Sequence, residues 1–136
     1  MQRAITLIVT LLLLLTAGPA RAQLSSRLVP AGVQHTCLTI SSATTTTLAS
    51  PTGSGVVEVW QLHAEVDVTG ARTTLTFQDS GGTNLEGPSV TRVVEPGTDR
   101  RWPARGVPYM TTSAGTSLQV VTSAGGPVKV CVWYTR

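Results

Sequence analysis

The chain has 136 residues, ten Lys or Arg against seven Asp or Glu, and only 4% aromatic residues. That length fits one domain with a modest hydrophobic core. Two of the ten cations, Arg3 and Arg21, fall in an N-terminal leader; the rest is eight cations against seven anions, which excludes binding to nucleic acid or an anionic membrane through bulk charge.

Residues 1–22 have the layout of a secretory signal peptide. Met1 to Arg3 is a short basic start, Ala4 to Ala17 is apolar around Leu11 to Leu15, Gly18 and Pro19 break the run, and Ala20-Arg21-Ala22 supplies small residues for cleavage before Gln23. The apolar run is about 14 residues long, short of the roughly 20 that a spanning helix requires. No cysteine stands at the cleavage point, which argues against a lipoprotein. Removing 22 of 136 residues leaves 114, exported to the periplasm, the outside or a virion or cell surface, with no membrane segment. Residues 23–34, with Pro30 and Gly32, read as a flexible arm, and 35–136 as the folded domain.

Through that domain Thr, Val and Ser dominate, Gly and Pro punctuate, and no amphipathic helix emerges, so the elements are strands. His35 to Ile40 is the first, with Leu38 and Ile40 on one side and Cys37 and Thr39 on the other. Ser41 to Thr47 is a Thr-rich run that pairs as an edge or lies over the sheet. Val56 to Thr69 alternates strictly, Trp60, Leu62, Ala64, Val66 and Val68 against Gln61, His63, Glu65, Asp67 and Thr69. Gly70-Ala71 turns it into Arg72 to Asp79, so these two segments are expected to form a hairpin with Trp60 in the core. Ser80-Gly81-Gly82 is a turn and Ser89 to Glu95 a strand. Pro96 to Pro108 reads as an irregular loop, and Tyr109 to Thr112 as a short extended piece. Thr116 to Ser123 turns through Ala124-Gly125-Gly126 into Pro127 to Tyr134, which shows Val128, Val130, Val132 and Tyr134 on one face and Lys129, Cys131 and Trp133 on the other. Seven or eight short strands at this spacing predict an all-β, jelly-roll-like two-sheet antiparallel sandwich.

Cys37 and Cys131 are the only cysteines. In an oxidising compartment they pair as a disulfide, which lays their two strands together. They sit too far apart in sequence, with only His35 and His63 as imidazoles, for a recognised metal spacing, so no metal site is expected. His63, Glu65 and Asp67 share one strand face, which reads as a solvated sheet surface. There is no Gly-flanked nucleophile, metal-binding helix or phosphate-cradling loop, so no enzyme and no cofactor is expected. Arg100, Arg101, Trp102 and Arg105 form the most unusual segment. It is either an interaction loop for a glycan, an acidic surface or a neighbouring subunit, or Trp102 plugs one end of the sandwich while the arginines sit in water. Trp133 either covers the disulfide or meets a partner.

From Ile40 onward the chain resembles the short all-β virion-associated, or minor structural, proteins of tailed bacteriophages and prophages. The similar stretches are Ile40 to Thr47, Thr74-Leu75-Thr76-Phe77 with Ser80 to Thr83 and Leu85, and above all Gly106 to Leu118. The resemblance implies a jelly-roll-like module for assembly or attachment, often a trimer, without catalytic residues. The leader, the cysteine pair and the Arg-Trp segment depart from that family, which keeps a secreted module binding glycan or another surface ligand as the alternative. Only 15 of the 114 residues after the leader are charged. A sandwich so short of charge on its exposed edges is expected to pack against identical copies, with the Thr-rich strands at the interface and Arg100 to Arg105 at an exposed end.

Overall fold

A computed structural model describes residues 30–103, 105–123 and 127–136. The leader, arm residues 23–29 and the turn Ala124-Gly125-Gly126 lie outside them. Nine strands follow in chain order among the described residues: β1 Gln34–Ile40, β2 Thr44–Ala49, β3 Glu58–Val66, β4 Thr73–Asp79, β5 Arg92–Val94, β6 Asp99–Trp102, β7 Met110–Thr111, β8 Leu118–Thr122 and β9 Val128–Thr135. The described residues contain no helix.

The strands form two antiparallel sheets. One has the order β1-β9-β3-β6, with β7 beside β6 along the same edge of β3; the other has the order β2-β8-β4-β5. The pairings β1 with β9, β2 with β8, β3 with β6 and β7, and β4 with β5 are the rungs of one long hairpin whose tip is β4–β5. Rolling that ribbon up adds the pairs β9–β3 and β8–β4. This is jelly-roll topology, and it agrees with the expected all-β sandwich.

The core lies between the sheets. Leu62, Val59, Ala64, Val66, Val128, Val130 and Val132 enter from one side, and Leu75, Phe77, Leu118, Val120 and Val94 from the other, all essentially inaccessible to water. Each of the larger ones contributes roughly 1.5–3 kcal/mol by leaving water. The period-two pattern of β9 puts Val128, Val130, Val132 and Tyr134 inward as expected.

Three expectations need correction. β3 and β4 do not form a hairpin: they lie in opposite sheets, and the chain around Gly70 crosses from one to the other. A turn signal fixes a change of direction but not the partner, and each strand finds better apolar neighbours elsewhere, β9 for β3 and β8 for β4. Trp60 is not a core residue. A β-bulge places one extra residue between Val59, opposite Tyr134, and Gln61, opposite Trp133. Val59 and Leu62 both reach the core, while Trp60 stays half-buried and donates its Nε1–H to Thr135 Oγ1 at 3.0 Å. The segment 96–108 is not wholly irregular, since Asp99–Trp102 pairs with β3 from Leu62 to Glu65. Its entry turn needs Gly97, whose φ is 69° and where a Cβ would come within 3.0 Å of Val68.

Candidate functional site

Two outer faces and one cleft carry the residues singled out above. On the outer face of the β1-β9-β3-β6 sheet, Cys37 stands directly opposite Cys131 in the ladder, with Cα atoms 4.1 Å apart, and the two sulfurs are bonded. Alternation on β1 puts His35 on the same face, and its Nε2 lies 3.0 Å from Cys37 Sγ. His35 pairs across the ladder with Trp133, ring centroids 4.5 Å apart. Trp133 therefore flanks the disulfide and stacks on the histidine.

The next strand of this face brings His63, register partner of Cys131. Its Nε2 stands 2.7 Å from Asp99 Oδ1, close enough for an ion pair but not aligned as a hydrogen bond. Arg101 also reaches Asp99, at 3.1 Å. The Arg101 hydrogen bond, with the charges of His63 and Arg101 behind it, holds the Asp99 carboxyl below the usual carboxylate range, and the same contact raises Arg101. Glu65 faces Lys129 at 3.9 Å. Asp67 turns back on its own chain to accept from the amide and hydroxyl of Thr69, which lowers its pKa. His63, Glu65 and Asp67 thus each have a separate partner and do not converge on one point.

The Arg-Trp segment is divided by strand alternation. Arg101 joins the outer face just described. Trp102, opposite Leu62, turns inward and packs against the core. Arg105 is exposed in the following loop. Arg100 stands at an open cleft between β5 and β6, about 360 Å³ in volume and lined by Val90 to Val93, Arg100, Arg101 and Trp102. The cleft is organised by Arg92, a residue the pattern of the sequence did not single out. Its guanidinium lies 4.4 Å from the Trp102 ring centre and 5.0 Å from that of Tyr109. It also forks onto Glu86, with Nε 2.9 Å from both carboxylate oxygens, and its Nη2 meets Glu86 and the Tyr109 hydroxyl. Trp102 is thus half-buried, packed against the core and with the Arg92 guanidinium over its ring. Glu86, Arg92 and Tyr109 come from three separated segments of ordinary composition, so no local signal marks them. His35 did leave a signal, two residues before Cys37 on one strand face.

The outer face of the β2-β8-β4-β5 sheet is of another kind. With Leu118, Val120, Leu75 and Phe77 inward, the outward positions are Thr45 and Thr47, Gln119 and Val121, and Thr74, Thr76 and Gln78. None is charged. Gln78 donates to Gln119 across the strands at 3.3 Å. The outer edge of β2, Thr44–Ala49, pairs with no further strand among the described residues.

No protein-family model and no curated protein matches the chain. Among solved structures, a chain of Bacillus endospore appendages, which form a family of disulfide-linked pili, is similar over 76% of this chain and 86% of that one, with 18% identity and a TM-score of 0.44. A chain of infectious bursal disease virus, Gx strain, is similar over 78% of this chain and 32% of that one, with 15% identity and a TM-score of 0.31. The VP2 subviral particle of the same virus shows 10% identity and a TM-score of 0.28, covering 78% of this chain and 33% of the other. The chain thus spans about a third of the viral chains. Likenesses this distant assign no function.

One buried carboxylate belongs to the framework. Asp79, 2% exposed at the end of β4, accepts from the amides of Gly81 and Thr83 through Oδ1, each at 3.0 Å, and from the Ser113 hydroxyl through Oδ2 at 2.7 Å. It ties the turn after β4 to the turn before β8.

Proposed function

We propose that the chain is a non-catalytic structural module that assembles with copies of itself outside the cell, through the uncharged outer face of the β2-β8-β4-β5 sheet and the adjoining free edge of β2. The observation that carries this reading is that no outward strand position of that face is charged, the Arg72–Glu95 pair lying just past the ends of β4 and β5, set against the crowded ion pairs of the opposite face. Soluble surfaces ordinarily mix both signs of charge, and bare edges invite pairing. Four strands about 4.8 Å apart and five residues long give a footprint of roughly 300 Å². That is well under the roughly 800 Å² per partner of a stable interface, so the face needs the β2 edge beside it. The dispersal of His63, Glu65 and Asp67 onto separate partners supports a non-catalytic role. The leader-like N-terminus and the cysteine pair support export. The resemblance of Gly106 to Leu118 to phage minor structural proteins favours a virion or appendage component, and a trimer as the closed assembly.

The test is the mass of the purified protein in solution by light scattering behind size exclusion. Wild type should run as a multiple of the chain, and Thr45→Glu with Thr76→Glu, which places two like charges on the face, should fall to the single-chain mass with unchanged circular dichroism. Wild type at the single-chain mass at micromolar concentration overturns the proposal.

A further inference from the structure

The corner formed by His35, Cys37 and Cys131 holds three metal-ligating atoms, one imidazole nitrogen and two sulfurs, all within 4.8 Å of one another. While the sulfurs are bonded to each other, neither is a thiolate and only the His35 imidazole is left as a ligand. We propose that reducing the Cys37–Cys131 bridge turns this corner into a site for one thiophilic divalent cation of the Zn²⁺ class, held by His35 Nε2 and the two Sγ atoms.

Four features of the fold support it. The ladder continues on both sides of the bridge, from Gln34 opposite Tyr134 to Ile40 opposite Val128, so the backbone keeps the two cysteines face to face after the sulfur–sulfur bond is gone. A tetrahedral ion with Zn–S near 2.3 Å and Zn–N near 2.0 Å needs its donors roughly 3.5–3.8 Å apart. From 3.0 Å between His35 Nε2 and Cys37 Sγ, that takes a shift well under an ångström, and the freed sulfurs reach their spacing by side-chain rotation. Trp133 lies against the His35 ring and limits its orientation. Nearby charges are already engaged: Lys129 faces Glu65, and Arg101 and His63 face Asp99. Two thiolates and one imidazole leave a fourth position open to water, the ligand count of an open rather than a closed zinc site.

The chemistry balances with a trialkylphosphine as reductant. The phosphorus takes oxygen from water and becomes the phosphine oxide. Its electron pair cleaves the bridge, and the two sulfurs take up the two protons of that water. Binding Zn²⁺ then releases both thiol protons.

The experiment titrates the full chain with Co²⁺, then Zn²⁺, before and after phosphine reduction. The reduced protein should show thiolate-to-cobalt absorption that saturates at one equivalent and is displaced by Zn²⁺, and the oxidised protein should show none. His35→Ala, a change at an exposed position, should bind at least about tenfold more weakly, since losing even an outer partner of a ligand costs that much. Zn²⁺ should also raise the melting temperature of the reduced protein, or restore its β-sheet signal where reduction alone unfolds it. Absent cobalt absorption, equal affinity in the His35→Ala protein, or Zn²⁺ that binds the unfolded chain and lowers the melting temperature would each overturn the site.

Discussion

Replacing Asp79 by Ala tests how far one carboxylate holds two turns together. It removes the acceptor of three hydrogen bonds, from Gly81, Thr83 and Ser113. Hydrogen bonds to a charged group contribute about 1.5–3 kcal/mol each where the orphaned donors stay dry. Here the donors belong to residues that are themselves exposed, so water reaches them once the carboxylate is gone and the net loss is nearer 1 kcal/mol each. The sum is about 3 kcal/mol, or roughly 15 °C in melting temperature for a domain of this size. Asp79→Asn keeps Oδ1 as an acceptor for both amides, and the Ser113 hydroxyl can rotate to accept from the new amide, so it should lose only about 1 kcal/mol. Urea unfolding with an unchanged slope gives both numbers. The Ser113 hydroxyl first, then the Thr83 amide, holds the Asp79 pKa below the ordinary 3.8. A lowered folded-state pKa means that the contribution is complete above about 3.8 and is lost as pH falls through the lower folded value. The gap between wild type and Asp79→Ala should therefore be full at pH 7 and shrink below pH about 4. A loss under about 1 kcal/mol for Asp79→Ala at pH 7, or a gap that does not change on acidification, would refute the account of a shared anchor.

The disulfide closes a sequence separation of 94 residues, for which chain entropy gives about 4.7 kcal/mol. The Cys37→Ala, Cys131→Ala double variant should lose most of that in urea unfolding, while thiol titration of the denatured, unreduced wild type should find no free thiol. Arg92→Ala strips the partner from Glu86, whose side chain is only 6% exposed, and should cost about 3 kcal/mol. Adding Glu86→Leu should recover part of it, and a double-mutant cycle without a coupling energy above about 0.5 kcal/mol would remove the pair from the list of stabilising contacts.

Sequence pattern reaches as far as the local signal does. Alternation alone placed Val128, Val130, Val132 and Tyr134 inside and put Cys37 and Cys131 on matching faces, because strand period depends on nothing beyond the strand. The same alternation misplaced Trp60, since a bulge shifts the phase by one residue and no residue type announces it. The supposed β3–β4 hairpin failed because turn residues do not say which sheet the chain enters next. Asp99 to Trp102 was too polar to read as a strand; it pairs because the edge of β3 offers it a ladder. Of the site residues, the arginines near Trp102 were visible as a cluster in sequence, yet alternation sends them to different places. The residue that organises the cleft, Arg92, takes its partners Glu86 and Tyr109 from elsewhere in the chain.

The rolled ribbon also sets an order of events. Its tip, β4 with β5, joins near neighbours, and each later rung closes a longer loop, out to β1 with β9. Longer loops close more slowly and at greater entropic cost. β9 lies between β1 and β3, so the sheet they share cannot form until β9 has been synthesised. Until then the growing chain can complete only the β2-β8-β4-β5 sheet and the pairs of β3 with β6 and β7. The bridge then fastens the rung that the chain reaches last, and a molecule that reopens must undo that covalent clasp before the ribbon can unroll from its ends.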